Sequence, residues 1–145
     1  MNIVTVVGQS DILPLFDENV LPHCGIICAP ALTQLEAKEA VLVIGEGAVL
    51  PEKLSVLAAV VDNDSGFDAS LLNGTAVVTC GLGSRNTVSI TSKTAEYVTL
   101  SLNRSIQTLK GICEPMELPL PVREDVDDYA YMAAFAASVL LGNIG

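Results

Sequence analysis

The sequence predicts an α/β domain: a mostly parallel sheet with short helices in its first half, an antiparallel meander in its second half, and a C-terminal helix packed on the sheet. Three observations carry that expectation. Short aliphatic runs closed by Gly or polar turns recur as far as Thr79, which is the rhythm of βαβ units. After Cys80-Gly81-Leu82-Gly83 the runs alternate apolar with polar, as strands with one wet face do. A final alanine-rich stretch is long enough for a helix and stops at Gly142. Half of the 145 residues are apolar, yet only 4% are aromatic and Trp is absent. The core must therefore be aliphatic, which suits strands covered on both faces. The length fits one domain over residues 1–145, and no repeat, linker or low-complexity segment divides it.

Ile3–Val7 is an apolar run closed by Gly8 and reads as a buried strand. Asp11 is placed to cap a short helical turn, and Pro14 and Pro22 exclude a long helix there. Residues 24–29 form a second apolar run. Thr33 with Glu36 has the spacing of a capping box and predicts a helix ending near Ala40. Residues 41–44 follow as a strand, closed by Gly45 and Gly47. Pro51-Glu52-Lys53-Leu54 reads as a first helical turn. Residues 58–61 are a strand running into the turn Asp62-Asn63-Asp64-Ser65-Gly66. A helical turn over 68–72, a turn at Asn73-Gly74 and a strand over 76–79 complete the first half. Strands over 88–91, 97–102 and 106–109 make the meander, residues 116–120 a last strand, and residues 126–141 the helix.

The formal net charge is −10, with seven Lys and Arg against seventeen Asp and Glu. No basic cluster exists, so nucleic acid and anionic membrane surfaces are excluded as partners. The N-terminus lacks a basic segment and a long apolar run, so no signal peptide is expected. The longest apolar stretch, residues 132–141, is about half of what spans a bilayer. A cytoplasmic protein with reduced thiols is expected.

Several constellations are candidates for chemistry. Asp62-Asn63-Asp64 follows a strand, where open α/β sheets bind ligands; an Asx turn is the simpler reading. Gly8-Gln9-Ser10 follows the first strand, without the glycines of a dinucleotide fingerprint or the Gly-Lys of a P-loop. His23, Cys24 and Cys28 cluster in sequence, and Cys80 could approach them, but zinc usually takes ligands in close pairs. Buried thiols are the simpler reading, and no metal is expected. Adjacent His23 and Cys24 would point to opposite faces of a strand, which argues against a nucleophile pair. Glu124, Asp125, Asp127 and Asp128 crowd the start of the last helix, where negative charge complements the helix dipole.

Residues 58–142 resemble the later half of the Mur ligase central domain. Ala59-Val60-Val61-Asp62-Asn63-Asp64 is similar to that family's strand ending in Asn-Ala-Asp-Asp. Val77-Val78-Thr79-Cys80-Gly81-Leu82 is similar to its next strand. Glu117-Leu118-Pro119-Leu120-Pro121 is similar to its Leu-Pro-Leu-Pro-Gly strand, and Ala133-Ala134-Phe135-Ala136-Ala137 to the alanine-rich helix that follows. The resemblance implies the sheet and its topology. It does not imply ligation, because nothing matches the family's P-loop. Val122-Arg123-Glu124 stands where the family has Gly, His and Asn, Asp62 replaces the first Asn of the turn, and the modified lysine has only a loose counterpart at Lys38. The chain also ends where the family's third domain begins.

The functional expectation is a non-catalytic Mur-ligase-like binding or accessory domain in the cytoplasm, linked to cell-wall precursor metabolism, with a small molecule or a protein as partner. Two alternatives stand beside it: a small enzyme or a nucleotide or sugar-nucleotide binder using the strand-end loops, and a structural homodimeric subunit. No catalytic residue and no cofactor is assigned. The expected ligand site is Gly8, Gln9, Ser10, Gly45, Glu46, Gly47, Asp62, Asn63 and Asp64. If the strands before these three loops are parallel neighbours, the loops line one edge together.

Overall fold

The computed structural model describes residues 3–17, 19–72 and 74–145. In chain order the strands are β1 (Ile3–Val7), β2 (Gly25–Ala29), β3 (Gln34–Ile44), β4 (Lys53–Asp62), β5 (Val77–Cys80), β6 (Val88–Lys93), β7 (Tyr97–Leu102), β8 (Ile106–Thr108), β9 (Gly111–Cys113) and β10 (Met116–Pro121); helix α1 (Asp128–Leu140) follows. The main sheet has eight strands in the order β10-β7-β6-β5-β4-β3-β1-β2, and β8 and β9 form a separate antiparallel hairpin. Neighbours from β2 to β6 are all parallel, and β7 runs against both β6 and β10. The expected α/β class, the mostly parallel first half, the antiparallel second half and the packed C-terminal helix are all present.

The helices expected between the first strands are not. Residues 33–40 do not form a helix: Gln34 to Ala37 belong to β3 and pair in parallel with Lys53 to Val56. The segment has good intrinsic helix formers and a capping-box spacing. However, over the paired stretch Leu35 and Ala37 lie two apart and turn inward while Gln34 and Glu36 face water. Burial on a period of two outweighs a weak local preference. Pro51 likewise precedes strand β4 rather than opening a helical turn, a position where the missing N–H costs nothing in the ladder. The ladder slips between Ala37 and Val41, where the two halves of β3 meet. Asp11 caps nothing: the 3-10 turn at Leu13–Leu15 follows Ile12, with no side-chain cap. A 3-10 turn also occupies Ala69–Leu72, and the turn expected at Asn73-Gly74 falls partly on Asn73, outside the described residues.

The two faces of the sheet are covered differently. On one, α1 lies across β3 to β8 with every residue from Ala130 to Leu140 buried. A helix apolar all round must be enclosed all round, and here Ile12, Leu15, Phe16 and Leu21 from the β1–β2 connection join the same core. The other face gathers Val7, Leu42, Ile44, Ala59, Val61 and Leu72, with Leu32, Leu50, Leu54 and Phe67 packed against them. That cover comes from strand arms and connecting segments. Helix α1 starts with the Asp127 carboxylate accepting from the Ala130 N–H at 2.8 Å. It ends in a Schellman motif, with Asn143 N–H donating to the Ser138 carbonyl, Gly142 N–H to the Val139 carbonyl, and Gly142 at φ 76°. No helix among the described residues is long and apolar enough to cross a membrane.

Candidate binding site

Because β1, β3 and β4 are parallel neighbours, their C-terminal ends meet at one edge. The loops that follow them converge there. Gln9, Ser10, Gly45, Glu46 and Asp62 line a cavity of about 360 Å³, joined by Ile44, Ser65, Phe67, Asp127 and Tyr129. Of the nine residues expected at the site, these first five face the cavity and four do not. Gly47 lines an adjoining hollow with Ala48 and Phe67. Asn63 is exposed on the turn. The Asp64 carboxylate turns toward the loop after β5 and accepts from the Leu82 N–H at 2.9 Å.

Gly8 has a different job from the expected one. Gln9 and Glu46 exchange backbone hydrogen bonds of 2.9 and 2.8 Å, so the two loops are bound to each other. A Cβ on Gly8 would stand 2.6 Å from the Glu46 carbonyl oxygen, and one on Gly45 would collide with the Gln9 backbone. These glycines permit the loop-to-loop contact, and Gly45 also lines the cavity.

The floor is set by Tyr129, the second residue of α1. Its hydroxyl lies 2.7 Å from the Ile44 carbonyl and 3.0 Å from the Val60 carbonyl. One proton serves both acceptors, so the phenol straddles the ends of β3 and β4. Burial pushes the Tyr129 phenol well up, and the neighbouring Cys80, Asp62 and Asp127 add to that. The group is a neutral donor throughout the physiological range. Asp62 closes its own turn, accepting from the Asp64 N–H at 3.1 Å, while the Ser65 hydroxyl donates to the Asp62 carbonyl at 2.7 Å. The Asx turn and the cavity wall are thus the same residue. Burial raises the Asp62 carboxyl above its ordinary value, with the Asp64 and Asp127 carboxylates adding in the same direction.

The sequence reading missed Asp127, Tyr129, Ser65 and Phe67. Asp127 was legible as a helix cap, and only the direction of α1, which starts at the carboxyl edge, brings it here. The cysteines are all unpaired. Cys80 cannot approach His23, Cys24 and Cys28, because β4, β3 and β1 separate β5 from β2, about 19 Å at ordinary strand spacing. Cys80 is fully buried, and burial with Asp62 nearby pushes its thiol well up, so it is no nucleophile. Among the described residues no three His, Cys, Asp or Glu side chains converge as metal ligands.

What the site offers is an acidic, partly apolar recess with a neutral phenol, two amide-rich loops and three carboxylates, at the edge where open α/β sheets bind ligands. No family model, curated protein or solved structure matches the chain.

Proposed function

We propose that this chain is a non-catalytic binding domain that holds a small, hydroxyl-rich or cationic molecule at the carboxyl edge of β1, β3 and β4. The observation that carries the reading is the convergence of three strand-end loops and Tyr129 on one cavity of about 360 Å³, a size at the lower end of small-molecule sites. Glu46, Asp62 and Asp127 make its rim acidic. With a net charge of −10 behind them, a free phosphate or nucleoside triphosphate is repelled rather than held. Hydroxyls and ammonium groups can donate to those carboxylates. No Lys, Arg or His side chain lines the cavity, and Cys80 beneath it is a buried, neutral thiol. The resemblance of residues 58–142 to the Mur ligase central domain supports an accessory role beside cell-wall precursor synthesis in the cytoplasm.

Isothermal titration with an amino sugar, a UDP-sugar and ATP with magnesium tests the reading. The amino sugar is expected to bind. Asp62→Ala should weaken it about tenfold or more, the value of one lost charge-assisted hydrogen bond. Asp64→Ala, whose carboxylate turns out of the cavity toward the Leu82 N–H, should weaken it less. Micromolar ATP affinity or ATP turnover would overturn the proposal. A UDP-sugar bound more tightly than the amino sugar would replace it with the sugar-nucleotide reading.

A further inference from the structure

We propose that β2 pairs with β2 of a second copy of this chain, antiparallel about a two-fold axis at Ile27, joining two sheets edge to edge. The two outer strands of the sheet are built differently. At β10, Val122 N–H donates to the Glu96 carbonyl beside β7, so alternate residues face β7 and Glu117, Pro119 and Pro121 face outward. Two of those three have no N–H, and the third carries a charge, the usual ways of closing a sheet edge.

At β2 none of these devices is present. Gly8 N–H donates to the Ala29 carbonyl, which fixes Gly25, Ile27 and Ala29 as the residues bonded to β1 in the parallel register. The N–H and C=O of Ile26 and Cys28 therefore point away from the sheet, and no backbone partner for them is found among the described residues. The strand is Gly25-Ile26-Ile27-Cys28-Ala29, with neither Pro nor charge inside it. Ile27 is 52% exposed.

The register of self-pairing follows from those directions. Outward-facing residues must meet as hydrogen-bonded pairs, so Ile26 faces Cys28 of the second copy and Cys28 faces its Ile26. That makes four N–H to O=C bonds, with the two Ile27 side chains side by side at the axis in a non-hydrogen-bonded pair. The occupant is a second copy for an electrostatic reason as well. A chain of net charge −10 repels itself over most of its surface, but from Asn19 through Leu35 there is no Asp, Glu, Lys or Arg. The open edge lies within that uncharged stretch, so no charged side chain of β2 opposes its copy.

Sedimentation velocity on the full chain, from low micromolar to several hundred micromolar, should show a concentration-dependent dimer. Ile26→Pro deletes one outward donor without touching the β1 ladder, and Ile27→Lys sets two ammonium groups against each other at the axis. Each should weaken the dimer at least tenfold while the thermal melt stays cooperative. Ile27→Cys with Cys24, Cys28 and Cys113 replaced by Ser fixes the register: paired Cα atoms about 4.5 Å apart are within disulfide reach, so mild oxidation should give a cross-linked dimer. A wild-type chain that stays monomeric throughout would overturn the proposal, as would a dimer that both Ile26→Pro and Ile27→Lys leave intact or one that Ile27→Cys does not cross-link.

Discussion

The two faces of the sheet solve the same problem with different means. Under α1, a helix buried on every side, the sheet, the β1–β2 connection and the β8–β9 hairpin close into one continuous core. On the opposite face, β-arms and loops cover a smaller cluster around Val7, Leu42, Ile44, Ala59 and Val61. Close-packed helix cover cannot yield locally, because its side chains interlock. Loop cover relaxes more easily. The difference places stability on the helix face. It leaves the loops free to shape the cavity at their shared edge, with Tyr129 as the one helix residue that holds the ends of two strands together.

The largest expected effect separates the faces directly. Phe135 is fully buried under the sheet, and Phe135→Ala should cost about 3–5 kcal/mol. Leu72, buried at 3% exposure on the loop-covered face, should lose only about 2 kcal/mol on replacement by Ala, because its surroundings can collapse into the space. Urea unfolding of both variants checks this, and equal losses would break the distinction between the faces.

Tyr129→Phe sits at the boundary. Removing the hydroxyl leaves the Ile44 and Val60 carbonyls without that donor, and about 1–2 kcal/mol should be lost in the same unfolding measurement. Ligand affinity should fall as well if the phenol touches the bound molecule. A stability loss with unchanged affinity would confine Tyr129 to bracing the strands.

The smallest effect is a change in pH response at Asp62. Its folded value lies above the ordinary one because of burial and then the neighbouring carboxylates, so the folded state holds this proton more tightly than the unfolded state does. That contribution is fully present below the unfolded value of about 4 and is lost as pH rises through the folded value. Asp62→Asn keeps an acceptor for the Asp64 N–H and carries no titrating proton. Its melting temperature should therefore fall less than that of the parent as pH rises from about 4. Parallel melting curves for the two chains would refute this assignment.

Parts of this molecule were written locally. The β-branched run at β1 and the Val60-Val61 pair of β4 favour strand locally, because such side chains suit the pleated, buried surface. The alternation at β7 fixed its bounds, and Gly142 marked the end of α1, while the expected start at Val126 lies two residues before Asp128, which Asp127 caps. The same locality made three strand-ending loops legible as one candidate group. Other features needed the whole chain. Gln34 to Ala37 became strand because Lys53 to Val56 lay beside them, a partner that no window around Thr33 contains. Asp64 left the cavity for the Leu82 N–H, eighteen residues away. Asp127 and Tyr129 entered it only because α1 begins at the carboxyl edge of the parallel strands. Local sequence set the identity of most elements through propensity and capping; direction, neighbour and register, which come from burial between distant segments, decided which side chains share the site.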